Sequence, residues 1–433
     1  MPSDISVSSS SETPTRHSVE VQVAASRVAK AFDRAYRELA KQVRVRGFRP
    51  GKTPRSVLER IYGASIAEQL EQTLVAETLE DAVQQVGLEP VAEPSIEAGA
   101  PSIGEDFRYT ARIEVKPEIE LPDLSGLPAT RPQVAVSDED VEKELDALRE
   151  RHAKLLEEPD GTQIAEGHVA NVDFVGRVDG EPFEGGSGQA VDVEIGAGRF
   201  LPDFESQLVG ASDGDDVEIR VDFPDDYGNG ELAGKQALFA VHVASVKRRE
   251  VPVLDDEFAK DLGEFASLDE LGARIRSDLA ESRERESESV LHRTLLDSLI
   301  ERSSFDVPPG MVERRLEGEL RQAHERLEGQ VDHDTLHEQL GRWREEWRER
   351  AERQVRESLL LEAVAKAEGL QASPLDVEAR IGEMAERQGV STDRLRQAYG
   401  GEAFERALEA QLVDEKALEF LVARAKVEET ADT

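Results

Sequence analysis

After Pro309 only Pro374 interrupts the chain before its last residue, Thr433, and apolar residues recur there at helical spacing. Between Met311 and Leu327, for example, Val312, Leu316, Leu320, Ala323 and Leu327 fall on one face at about 100° per residue. Runs near 343–368, 375–388, 393–399 and 402–426 read the same way, broken by loops such as DVPPG at 306–310, and no fixed-length repeat relates them. Residues 250–433 are therefore expected to form an all-α domain.

The rest of the chain has other periods. A length of 433 residues suits about three domains. HSVEVQVAAS alternates as a strand does, and helix periodicity follows from Arg27 to Arg46, with Val28, Phe32, Ala35, Leu39 and Val43 on one face. Gly47 is the expected helix stop. Pro54 suits the first turn of a second helix, SVLERIYG, with Thr53 as its cap, and a third helix spans about 64–86. Strands near 91–97 and 106–116 complete a small sheet, so 17–119 reads as an α+β domain. Residues 120–160 read as an extended, proline-spaced connector with one helix in SDEDVEKELDALRERHAKL. Residues 161–249 look mostly β. VEIRVDF alternates with Val217, Ile219, Val221 and Phe223 on one face, ALFAVHVASV is a second strand, and Asp179-Gly180 is a tight-turn pair. LPDFESQLVG reads as a short helix closed by Gly210. The fold class is α+β multidomain.

Composition excludes several functions. With no Cys there are no disulfides, thiolate metal sites or Cys nucleophiles. No apolar run is long enough to span a membrane. The Ser-rich start, MPSDISVSSSSETPT, lacks the apolar core of a signal peptide, and 1–16 is expected to be a disordered tail of a cytoplasmic protein. The net charge of -39 argues against general nucleic-acid affinity. The acid excess and scarce Lys fit a salt-rich interior, and equally a merely acidic, GC-biased chain.

Against that charge stands one basic patch. Between residues 27 and 60, eleven Lys or Arg meet three Asp or Glu. Arg27, Lys30, Arg34, Arg37, Lys41 and Arg44 form a helical stripe that leads to GFRPGKTP at 47–54. Phosphates supply affinity for such a stripe, and an apolar ring beside a guanidinium at the tip of a helical hairpin adds a specific contact. The bland alternative is that Phe48 staples the two helices and the cations are simply solvated.

GFRPGKTPRSVLERIYG closely resembles the ribosome-docking signature of the bacterial trigger factor family, matching at Gly47, Phe48, Arg49, Gly51 and Pro54. The resemblance implies docking beside the nascent-chain exit tunnel of the large ribosomal subunit, on a ribosomal protein and nearby rRNA, with Arg44, Arg46 and Lys52 supporting. The variable position is Pro50, where a basic residue is common. NVDFVGRVDGEPFEGGSG, RFLPDFESQLVG and FPDDYGNGELAGKQALFAVHV are similar to the FKBP-type prolyl isomerase domain of that family, and VPVLDDEFAKDLGEF leads into its helical tail. Seven of the 21 aromatic residues fall in 161–249, enough to line an apolar pocket or simply a core, with Phe223 the first candidate for the core. Carried over by position, the pocket is Phe174, Phe183, Phe200, Leu201, Phe204, Tyr227 and Phe239, with Glu184 near its rim. Asp203 stands where the family has Gly, which puts the shape of the entrance in question.

The family implies no metal and no cofactor. Its partners are ribosomes and nascent or unfolded polypeptides, with no membrane; a homodimer is one assembly it allows. The expected function is a ribosome-associated chaperone and peptidylprolyl cis-trans isomerase. A free FKBP-type foldase and a non-enzymatic helical scaffold are the rivals. Other motifs are weak. GELAGKQA lacks the spacing of a phosphate loop, and DGDD at 213–216 that of a calcium loop. His333 and His337 read as surface residues, and Trp343 with Trp347 as packing.

Overall fold

The computed structural model describes residues 4–46, 48, 52–224, 232–331 and 333–431. The chain divides into two compact units, one of residues 1–132 and 288–431, the other of 133–287.

The first unit begins with β1 (Ile5–Thr13), β2 (Arg16–Val23), α1 (Ala25–Gln42), α2 (Arg55–Val86), β3 (Ser95–Ala98) and β4 (Phe107–Glu114). The strands form an antiparallel sheet in the order β1-β2-β4-β3. Alternation buries Val19, Val21 and Val23 of β2 and Phe107, Tyr109, Ala111 and Ile113 of β4, in one core with Val28 and Phe32 of α1 and Leu70 and Leu74 of α2.

Four expectations change here. Residues 5–13 are not a disordered tail. They are an edge strand paired with β2 from Ile5↔Val23 to Thr13↔Arg16. An edge strand needs only one apolar face, and Ile5 and Val7 supply it while the serines face water. Helix α1 ends at Gln42, with Val43 already extended, because Val43 and Val45 turn back onto the core; Gly47 lies outside the described residues. The second and third expected helices are one, and Gly63 sits inside α2 because packing overrides its weak propensity. Pro54 is the N-cap of that helix, and Thr53 makes no cap bond.

The chain then forms β5 (Pro128–Pro132) and enters the second unit. This holds α3 (Asp138–Arg151), β6 (Lys154–Glu157), β7 (His168–Val178), β8 (Glu181–Glu194), α4 (Pro202–Leu208), β9 (Asp216–Asp222), β10 (Gln236–Glu250) and α5 (Asp256–Leu262). A capping box of Ser137 and Asp140 starts α3. The sheet order is β6-β10-β7-β8, with β9 also on β10. Asp179 and Gly180, both at positive φ, make the two-residue turn between β7 and β8. Helix α4 packs Phe204 and Leu208 onto the inner face of this sheet.

Helix α6 (Leu268–Glu301) carries the chain back to the first unit, which continues as α7 (Pro309–Leu327), α8 (His333–Glu346), α9 (Arg348–Glu368), α10 (Pro374–Gln388), α11 (Thr392–Tyr399), α12 (Glu402–Arg424) and β11 (Lys426–Thr430). This region is mostly helical rather than all-α, since β11 pairs in parallel with β5. The proline-spaced connector is not merely a spacer either. Leu124, Leu127 and Ala129 are buried among Leu295, Leu360 and Leu421. The N-terminal sheet meets the helices within this unit, where Gly310 N–H donates to Glu114 at 2.7 Å and Lys116 Nζ reaches Glu362 at 2.6 Å.

Candidate functional site

The sheet of the second unit gathers phenylalanines from five separate segments. Phe174 comes from β7, Phe183 from β8, Phe200 from the loop before α4, Phe204 from α4 and Phe239 from β10. Phe204 lies at the centre, with ring centroids 5.7 Å from Phe174, 5.4 Å from Phe239 and 5.5 Å from Phe200. The first two contacts are edge-to-face and the third is stacked, the geometries that the ring quadrupole favours. Phe183 closes the group at 6.1 Å from Phe239. Phe204 and Phe239 are 3% and 7% exposed, whereas Phe174, Phe183, Phe200 and Leu201, packed in the same cluster, are half-buried. An apolar surface with a buried base and half-open walls can take up an apolar ring and strip water from the group attached to it. Phe223, the core candidate, is buried against Phe183. Tyr227 lies outside the described residues, as does the side chain of Glu184.

Three strand glycines make the arrangement possible. A Cβ on Gly176 would stand 2.4 Å from the Phe239 ring, one on Gly186 2.7 Å from Phe183, and one on Gly188 2.8 Å from Phe174. Sequence reasoning passed over them, although glycines inside strands are themselves a sign of close approach. Asp203 occupies the exposed first turn of α4 without a positive φ, so the position does not demand glycine.

The reading also passed over Glu205. This residue is 5% exposed and its carboxylate accepts three backbone hydrogen bonds. Oε2 receives Gly196 N–H at 3.0 Å and Gly198 N–H at 3.3 Å, and Oε1 receives Phe200 N–H at 3.0 Å. Burial works against its ionisation, but these N–H groups and that of Arg199 outweigh it and hold the pKa below the ordinary glutamate value.

The second candidate surface lies in the first unit, between α1 and α2. Phe48 is 40% exposed and does not share the core that Val43 and Val45 join, so it is not a staple. Its N–H donates to Val45 O at 3.1 Å. Arg44, Arg46, Lys52 and Pro54 are also exposed; Gly47, Arg49, Pro50 and Gly51 lie outside the described residues. Arg27, Lys30, Arg34, Arg37 and Lys41 line a groove of about 440 Å³ beside Glu77 of α2. Glu77 pairs with Arg27 and Arg34, while Arg55 is held by Asp33 and Glu59.

Among the described residues no group of three His, Asp or Glu is placed to hold a metal ion, and no helix is long and apolar enough to cross a membrane. His333 stacks on His337, and Trp343 on Trp347.

Three family models match the chain. Bacterial trigger factor protein covers residues 5–148, FKBP-type peptidyl-prolyl cis-trans isomerase 161–244, and the trigger factor C-terminus 267–423. Among curated relatives, the trigger factor of Halalkalibacterium halodurans is 38% identical over 413 residues, covering 94% of this chain and 96% of the relative. That of Geobacillus kaustophilus is 38% identical over 414 residues, with the same coverage. That of a Geobacter species is 37% identical over 429 residues, or 98% of each chain.

Proposed function

Because the chain belongs to the bacterial trigger factor family and carries an FKBP-type peptidyl-prolyl isomerase domain, we propose that it docks on the ribosome through the α1–α2 tip, holds nascent chains on its helical region, and isomerises X-Pro bonds by desolvation in the phenylalanine hollow. The rotation barrier of about 18–20 kcal/mol comes from amide resonance. The planar amide is more charge-separated than the twisted transition state. Moving it from water to an apolar surface therefore raises the ground state relative to the twist. A millionfold acceleration needs about 8 kcal/mol, and no nucleophile or general acid is required.

The observation that carries the catalytic part is the floor of Phe204 and Phe239 ringed by half-buried Phe174, Phe183, Phe200 and Leu201. By its place in the family pattern, Tyr227 belongs to the same pocket. In the docking part, Phe48 gives the specific apolar contact on a ribosomal protein near the exit tunnel. Arg44, Arg46, Arg49 and Lys52 meet rRNA phosphates, and Gly47, Gly51 and Pro54 belong to the same docking signature. The docking module runs to about residue 119, starting from β1 rather than from residue 17; the isomerase occupies about 161–249 and the client-holding helices follow from 250. Such a protein works where ribosomes are, in the cytoplasm.

The decisive experiment is refolding of a proline-limited client by the full chain, run with ribosome co-sedimentation. Catalysed refolding together with co-sedimentation is expected. Co-sedimentation without catalysis at any salt concentration favours the helical scaffold, and catalysis without co-sedimentation favours the free foldase.

A further inference from the structure

We propose that Glu205 is a positioning residue of the isomerase: its carboxylate holds the loop 196–200 so that Phe200 lies stacked on Phe204. The inference rests on the reading of these two rings as pocket residues and adds what sets their geometry.

The loop between β8 and α4 has no regular structure of its own, yet three of its N–H groups, from Gly196, Gly198 and Phe200, point at one carboxylate. This convergence depends on backbone hand. Gly196 and Gly198 have φ of +90° and +68°, a region that other residues enter only under strain. Alternating the hand of successive residues turns every second N–H to the same side and makes a concavity for an anion. Here the anion belongs to the chain itself, in the first turn of the helix that carries Phe204. Adjacent residues thus divide the work. Phe204 builds the floor, and Glu205 ties the wall residue Phe200 to it, with the two rings 5.5 Å apart and 23° from parallel.

An amide cannot replace the carboxylate. Glutamine has one acceptor oxygen and two donor hydrogens. Oε1 serves Phe200 while Oε2 serves both glycines, so one set of N–H groups would lose its acceptor and face another donor. A buried N–H without a partner is costly, and the loop would move to find one. Asp203, beside it on α4, is exposed and takes no part in this network.

The test uses the full chain, a short X-Pro peptide and the variants Glu205→Gln, Gly198→Ala and both together, with Phe200→Ala for reference. Nothing stands within 4 Å of a Cβ on Gly198, so that variant perturbs the loop through backbone hand alone and leaves Glu205 in place. Each single variant should lower kcat about tenfold with KM nearly unchanged, the size of one lost charge-assisted hydrogen bond. The pair should lose little more than either alone, because both act through the same loop. Wild-type kcat in folded Glu205→Gln, or additive losses in the pair, overturns the proposal. If Glu205→Gln does not fold, wild-type kcat in Gly198→Ala overturns it. An unimpaired Phe200→Ala instead sinks the pocket reading, and this inference with it.

Discussion

The isomerase sheet and the helical region solve different problems with different residues. The isomerase unit links five phenylalanines from separate segments by ring contacts of 5.4 to 6.1 Å, and three glycines make room for the rings of Phe239, Phe183 and Phe174. The helices α7, α9 and α12 bury Leu, Val and Ala instead, and α12 is tied to α10 by ion pairs of Arg380 with Glu415 and Lys416 with Asp376. Shape is concentrated in the first region and distributed in the second. A site that must desolvate one amide needs a few side chains at fixed distances. A surface that holds varied unfolded segments works by many weak apolar contacts of about 25 cal/mol per Å², so that no single residue is decisive.

That contrast can be broken by crossing mutations with readouts. Phe204→Ala should abolish detectable catalysis on an X-Pro peptide and cost the isomerase unit about 3–5 kcal/mol, while suppression of client aggregation is retained. Loss of suppression as well would place client holding in the isomerase. Leu360, fully buried on α9, is the reciprocal site. Leu360→Ala should destabilise the helices by about 2–5 kcal/mol in denaturant unfolding and leave peptide isomerisation unchanged; a parallel fall in kcat would show that the two regions are not separable.

The proposed docking tip sharpens the comparison, since on that proposal it too depends on few residues. Replacing Phe48, Arg49 and Lys52 with Ala should weaken ribosome co-sedimentation at least tenfold and change stability by no more than about 0.5 kcal/mol. Near 1 M salt the Debye length is about 3 Å, so Phe48→Ala should then account for most of the effect. Undiminished co-sedimentation of the triple variant would refute the assignment.

The smallest effect tests the distributed electrostatics. Burial, reinforced by Glu362 and opposed by Lys116, pushes the Asp414 carboxyl up to about 6. A folded pKa above the unfolded value means that the native state binds the extra proton between about pH 4 and 6. This group's contribution to stability is therefore present below about pH 4 and lost as pH rises to 6. Asp414→Asn should remove that loss, raising stability at pH 7 by about 1 kcal/mol after allowance for partial exposure and by nothing near pH 4. A gain independent of pH would assign the effect to packing.

Much of this was legible in the chain because the signals are local. Alternation in VEIRVDF, the Asp179-Gly180 turn and the spacing of Val312, Leu316 and Leu320 each depend on neighbours within a few residues. Strand β1 was missed because ISVSSSSET carries too few apolar residues to outweigh its serines, and its order comes from hydrogen bonds to β2. Helix α2 was divided because a glycine and a tyrosine read as an ending, although a helix with Leu58, Ile66, Leu70 and Leu74 buried continues through it.

By itself the sequence determined most of the helices and the sheet strands, the motif at 47–54 and the set of rings, since period, turn chemistry and motif spacing are written in adjacent residues. Only the tertiary structure decided three other matters. It decided that β11 closes on β5 some 300 residues away, that Leu127 of the connector lies in a helical core, and that three loop N–H groups meet the Glu205 carboxylate. The first two need distant segments to converge, and the third needs the loop just before α4 to fold back with the backbone hand that Gly196 and Gly198 supply. A buried polar group takes whichever partner the fold brings within about 3 Å, and no local pattern specifies that partner.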